Sequence, residues 1–206
     1  MTLNQALSSG GLALGVTIGT VADTRDKEGL GRVKVRFVLK GQDIESDWLQ
    51  IVSCSAGPGY GAFFLPQAGD SALLAFADGD ASKAYVLGFM WNGQQKPPLE
   101  KSQQQDVRVI KSRGGKTIML DDSDRGNITI VDQRNNRIVI DTASDKISIS
   151  SEGDLEISAK GRLTISGAKV IIQNTAGSVK AELSDAAMKL QGGQSIKLSA
   201  AMIDLN

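Results

Sequence analysis

Residues 118–149 read IMLDDSDRGNITIVDQRNNRIVIDTASDKISI. The unit apolar-x-apolar stands at Ile118-Met119-Leu120, Ile128-Thr129-Ile130, Ile138-Val139-Ile140 and Ile147-Ser148-Ile149, with a polar turn after each. It continues as Leu155-Glu156-Ile157, Leu163-Thr164-Ile165, Val170-Ile171-Ile172, Val179-Lys180-Ala181, Met188-Lys189-Leu190, Ile196-Lys197-Leu198 and Met202-Ile203-Asp204. Successive units start 10, 10, 9, 8, 8, 7, 9, 9, 8 and 6 residues apart. Alternation over so few residues predicts short half-buried strands. Recurrence at a short period predicts a solenoid or β-helix.

The unit length decides which kind. One turn of a single-chain β-helix takes several strands, roughly 20 residues or more. Here each unit supplies one strand of about five residues and a turn, and one strand encloses no core. Three chains, each forming one side of a triangular prism, do. The predicted prism core is Ile118, Leu120, Ile128, Ile130, Ile138, Ile140, Ile147, Ile149, Leu155, Ile157, Leu163 and Ile165, with the alternate side chains facing water. Stacking at about 4.8 Å per strand makes a rod on the order of 50 Å. A lone chain would expose the whole apolar row, an aggregation hazard, so residues 107–206 predict an obligate homotrimer.

Working towards the N-terminus, residues 93–106 read as a linker, with Pro97-Pro98 and three consecutive glutamines, Gln103 to Gln105. Residues 16–92 read as a small closed all-β barrel, such as an OB-fold. Its cleanest alternation is Arg32-Val33-Lys34-Val35-Arg36-Phe37-Val38, with Val33, Val35 and Phe37 on the inner face. Further strands are expected at 16–21, 47–52, 62–65, 71–77 and 84–90. Turns are expected at 23–31, where Gly29 and Gly31 supply positive φ, at 57–61, 66–70 and 78–80. Residues 1–15 read as an N-terminal arm, with Leu3 to Leu7 as an optional short helix.

Composition narrows the function. Lys and Arg number 23 and so do Asp and Glu, leaving zero net charge, which argues against nucleic acid as a partner. Histidine is absent, which removes His-based nucleophilic catalysis and the commonest transition-metal ligand. No cofactor is expected. Aromatic residues are 4%, as suits a narrow aliphatic core. The lone Cys54 reads as a small core residue, and Trp48 and Trp91 as barrel packing. Asp78 and Asp80 read as turn residues, not an acid/base pair. Asp121-Asp122-Ser123-Asp124 lacks calcium-loop spacing and reads as a turn between repeat strands. The start of the chain lacks a basic region ahead of its apolar residues, so synthesis in the cytoplasm without a signal peptide is expected.

Several motifs in order resemble one family. Gly31-Arg32-Val33-Lys34-Val35-Arg36-Phe37 resembles the GRVKVRF strand of contractile-injection spikes, and Trp48-Leu49 resembles the start of their next conserved strand. The stretch Gly59 to Asp70 is similar to their G-x-G-x-x-F-x-P-x-x-G-D pattern, and Phe76 to Gly88 is similar to the segment after it. This is the family of phage baseplate assembly protein V, the spikes of Mu-like phages and R-type pyocins, and the VgrG proteins of type VI secretion. The resemblance implies a non-enzymatic central spike of a phage tail or phage-tail-like particle (a tailocin), piercing an outer membrane when the sheath contracts. It implies hub and tube proteins as partners at the barrel end. With no histidine, the family's H-x-H iron site is absent. The resemblance then implies a blunt tip, with Met202, Ile203, Leu205 and Asn206 as contacts for a separate PAAR-type cap. A trimeric receptor-binding fibre and a baseplate peptidoglycan hydrolase are the alternatives. The first would be expected to end in an aromatic-rich head and the second needs a carboxylate pair in a cleft.

Overall fold

Alternation in the first half produces strands whose odd and even positions part cleanly between core and solvent. The structure, a computed structural model, describes residues 15–196. In this half the strands are Val16–Asp23 (β1), Lys34–Leu39 (β2), Gln42–Glu45 (β3), Ala56–Gly57 (β4), Tyr60–Gly61 (β5), Ser71–Phe76 (β6) and Ala84–Met90 (β7). Five of them form an antiparallel sheet in the order β3-β2-β1-β6-β7. Residues 49–52 close it. Leu49 exchanges backbone hydrogen bonds with Val33 (2.8 and 3.0 Å), while Val86 donates to Gln50 and Val52 donates to Val86 (2.9 and 2.8 Å). The segment expected as a strand at 47–52 is thus a seam of single ladder contacts between β2 and β7. The adjoining regular strand, β3, was missed because Gln42-Asp43-Ile44-Glu45 has one apolar residue to signal it.

The core is aliphatic with one aromatic pair. Val21, Val33, Val35, Ile44, Leu74 and Val86 are almost wholly enclosed, and Phe37 and Phe76 meet at 5.8 Å between ring centroids. Ser46 is the buried polar residue among those described. Its Oγ accepts from the Val35 amide (2.9 Å) and donates to the Asp47 carbonyl (2.7 Å), so burial leaves neither capacity unmet. The polar turn after β1 is clamped by Arg32, which donates through Nε and Nη2 to both oxygens of Asp26 (2.8 and 2.9 Å). Gly29 and Gly31 there take φ of +68° and +70°.

Two expectations fail here for one reason. Residues 62–65 form no strand, and Cys54 is exposed. Residues 53–64 leave the barrel as a loop around the tiny β4–β5 hairpin, so Cys54 has no core to enter. Trp91 also stands outside the core, being 67% exposed, because β7 ends at Met90. Trp48 is half-buried, with the Lys34 ammonium 5.5 Å from its ring centroid.

The second half supplies Val107–Lys111 (β8), Thr117–Asp121 (β9), Asn127–Val131 (β10), Arg137–Asp141 (β11) and Lys146–Ser150 (β12), an antiparallel meander in chain order. Lys169–Gln173 (β13), Lys180–Ser184 (β14) and Met188–Gln191 (β15) make a separate three-stranded sheet. By its contacts the chain divides into two units, one running through Gln133 with Arg137–Ile149, the other comprising Arg134–Asn136 and the residues from Ser150 onward. The start of the stretch 92–106 is fastened to the barrel. Asn92 Nδ2 donates to Ser71 Oγ (2.8 Å) and Gln95 Nε2 donates to the Gly69 carbonyl (3.0 Å). Arg113, after β8, donates to Gln67 Oε1 of the barrel at 2.9 Å. The helix considered at Leu3 to Leu7 lies outside the described residues.

Candidate assembly surface

The register of the meander puts the repeat's apolar positions on one face. Ile118 stands opposite Ile130 and Leu120 opposite Ile128 across β9–β10. Ile130 then meets Ile138, and Ile128 meets Ile140, across β10–β11. Opposed side chains in such a ladder lie about 4.5–5.5 Å apart at Cβ. Two aliphatic columns therefore run across the strands. A one-residue slip would send every one of these side chains to the other face. The turns hold the register. Asn135 and Asp145 take φ of +69° and +52°, and Gly126 takes +52°. The Asp121 carboxylate accepts from the Ser123 amide (3.0 Å), and that of Asp141 accepts from the Ser144 amide (3.1 Å). The serine hydroxyl and amide hold each carboxyl below its ordinary value. The loop from Asp121 to Asp124 is thus a turn between strands.

Among the described residues nothing covers the columns. Ile118, Leu120, Ile128, Ile130, Ile138 and Ile140 are 41–46% exposed, and Ile147 and Ile149 on β12 are more so. The other face is not uniformly polar. Val109, Met119, Thr129 and Val139 share a row there, so the expectation of polar alternate positions holds at Thr129 and not at Met119 or Val139. One member of the stripe was missed from the sequence. Ile110 on β8 faces Ile118, and its signal is hidden because Val109 precedes it and Arg108 sits at the companion position. Arg108 stands opposite Leu120 and turns its guanidinium back to the Gln105 and Val107 carbonyls (2.8 and 3.3 Å).

In the second unit the repeat behaves differently. The strands expected at Leu155–Ile157 and Leu163–Ile165 do not form, and residues 151–168 pair with no strand among the described residues. Leu155, Ile157, Leu163 and Ile165 are 53–65% exposed. A strand of about five residues is held by its ladder partners, and these units have none among the described residues. Beyond them, β13, β14 and β15 align Val170, Leu183 and Met188 in one row and Ile172, Ala181 and Leu190 in another. On the reverse face Glu182 lies between Lys169 (2.5 Å) and Lys180, and these two ammonium groups pull its carboxyl down to about 2. The cap contacts expected at Met202, Ile203, Leu205 and Asn206 lie outside the described residues.

The chemistry-bearing residues are engaged in turns. Asp80 Oδ1 accepts from the Ser82 hydroxyl (2.7 Å) and amide (2.9 Å), which lowers its carboxyl from the ordinary value. Asp78 sits in the same turn at φ +55°. Among the described residues no three His, Cys, Asp or Glu side chains are grouped to hold a metal ion.

Comparison with known proteins places this geometry. Residues 17–91 match the type VI secretion system/phage-baseplate injector OB domain. The chain is similar to the type VI secretion system spike protein VgrG4b of Pseudomonas aeruginosa, 35% identical over 86 residues, which is 40% of this chain and 11% of that protein. It is also similar to VgrG5 of the same organism, 29% identical over 106 residues, 50% of this chain and 13% of that protein. A third relative there, VgrG1a, is 26% identical over 105 residues, 49% of this chain and 16% of its own length. The chain therefore spans less than a fifth of each of these relatives. Residues 17–91 thus match an injector OB domain, and the chain that carries them is similar to type VI secretion spike proteins over that part and a little beyond.

Proposed function

We propose that the chain is one subunit of a homotrimeric central spike, seated at the baseplate of a contractile phage tail or phage-tail-like particle and driven through the target envelope when the sheath contracts. In this reading residues 16–92 are the barrel, 93–106 the connection and 107–206 the spike. The observation that carries it is the aliphatic stripe from β9 to β11, aligned by register and left uncovered. Enclosing each of its half-exposed side chains is worth on the order of 1 kcal/mol, and threefold closure around an axis encloses the stripes of all copies together. Residues 151–168 support the same reading, since they form no strand among the described residues and expose Leu and Ile side chains, which strands from neighbouring copies would complete. The spike names of the relatives and the injector OB domain support the baseplate position.

The work asked of such a protein is mechanical. A rod whose backbone hydrogen bonds cross between chains resists load because no chain leaves without breaking the ladders of the other two. The barrel end would meet hub and tube proteins, and the far end would meet a PAAR-type cap or the membrane itself. No bond-making chemistry is assigned to the chain.

Light scattering with and without denaturant, beside an unboiled SDS gel, tests the assembly. The expected species has three times the 21.7 kDa of one chain. A folded monomer would sink the proposal. Truncation after residue 106 is expected to abolish SDS resistance, and a truncated chain as resistant as the whole would exclude the repeat as the stabilising element.

A further inference from the structure

The barrel carries two apolar surfaces that its own core does not use. In an antiparallel sheet packed on one side, outward positions are ordinarily polar. Here the outer side of β1–β6–β7 presents Val16, Ile18, Leu73, Ala75, Tyr85 and Leu87. Val16 lies opposite Ala75, which lies opposite Tyr85, and Ile18 lies opposite Leu73. Val16 and Ile18 are 59% and 62% exposed. The second surface is a cleft of about 930 Å³ whose apolar lining includes Leu30, Val52, Tyr60, Phe63, Phe64 and Phe89. None of the residues lining it is charged, in a chain in which 22% of residues are.

The aromatic side chains at the cleft are held out of the barrel by the backbone. Gly61 has φ +137°, and a Cβ there would stand 2.4 Å from the Ser55 carbonyl oxygen. The Ala62 amide donates to that same oxygen (3.0 Å), and Ser53 Oγ donates to the Ala62 carbonyl (2.7 Å). The Phe63 ring rests against Gly31, where a Cβ would come within 2.8 Å of it. Phe63 and Phe64 are nonetheless 74% and 69% exposed, so the loop is built and its rings still face outward.

We infer that the aromatic cleft of one barrel packs on the aliphatic β1–β6–β7 face of the next barrel in a ring of identical chains. The inference rests on the trimer proposed above. In a closed ring each copy meets its two neighbours through two different surfaces, and this barrel has two, unlike in shape and composition. Both lack charge, as the centres of protein interfaces do. The occupant is a second copy because the barrel is tied to the repeat, through Arg113 on Gln67, and holds the start of the connection at Asn92 and Gln95. Copies drawn together along β8–β12 bring their barrels together as well.

The native cysteine makes the test direct. Cys54 is exposed and lines the cleft, and the chain has no other cysteine. The full-length Ile18→Cys variant, with Leu87→Cys as a second position, is treated with a short bis-maleimide and run on a denaturing gel, with the same samples weighed by light scattering. Most chains of at least one variant are expected to join into covalently closed trimers. The wild type, and either variant with Cys54→Ser added, are expected to remain uncrosslinked. A species of trimeric mass in which neither variant crosslinks overturns the barrel contact alone and leaves both faces to a different chain. Crosslinking of the wild type through Cys54 to Cys54 also overturns it, since the cleft would then meet itself. A monomeric mass overturns the trimer and the contact with it.

Discussion

Gly19 shows how one residue sets the shape of the barrel. It lies in β1 opposite Phe37, and a Cβ there would come within 2.5 Å of Val35 Cγ1 and 2.9 Å of the Arg36 carbonyl oxygen. Backbone on one side and a branched core side chain on the other leave no room to yield. Gly19→Ala is therefore expected to lower stability by about 1–3 kcal/mol, the usual cost of overpacking, read as a shift in urea midpoint at unchanged slope. Leu74 is the opposite case, a large side chain wholly enclosed. Leu74→Ala removes contacts and leaves a void, with an expected loss of about 2–5 kcal/mol by the same measurement. Position 19 is silent in the sequence, because a glycine within Thr17-Ile18-Gly19-Thr20-Val21 reads only as a weak point in a strand. Position 74 was legible as apolar but not as central.

At the scale of elements, the alternation at 32–38 and the repeat at 118–140 both correctly announced strands. A charge placed on the stripe should act through assembly. Ile130→Lys is 46% exposed before substitution, so a lone chain would tolerate it with little change. If copies close over the stripe, a buried unpaired ammonium is strongly unfavourable, and the variant is expected to lose its trimeric mass while the barrel keeps its near-native fold by circular dichroism. Glu182 is expected to contribute to the acid response of the β13–β15 sheet. Its carboxyl sits at about 2 rather than the ordinary 4.5, because Lys169 and Lys180 favour the charged form. A depressed carboxyl contributes stability that is complete above its unfolded value and is lost as pH falls towards its folded one. Melting temperature is thus expected to drop between about pH 4.5 and 2, with the Glu182 portion of that drop missing in Glu182→Gln. An equal acid response in both proteins would remove Glu182 as its source.

For the whole molecule, the proposed spike predicts that stability depends on protein concentration. Ligation of chain by chain stabilises only the folded assembly, so the transition of the repeat should move to higher temperature as concentration rises. A transition independent of concentration over a hundredfold range would mean that the repeat folds within one chain. By itself the sequence determined the strand periodicity and the inner face of β2, because those follow from local alternation, which is written residue by residue. It also displayed the motifs by which residues 17–91 are recognised. Only the tertiary structure decided how the barrel closes through residues 49–52, that Cys54 and Trp91 stand outside the core, and that 151–168 form no strand with any of the described residues. These depend on which distant backbone groups meet, and a hydrogen bond between residues such as Val86 and Gln50 leaves no periodic trace in either segment. Alternation reports which side of a strand is apolar, and the partner that covers that side is chosen by contacts in three dimensions.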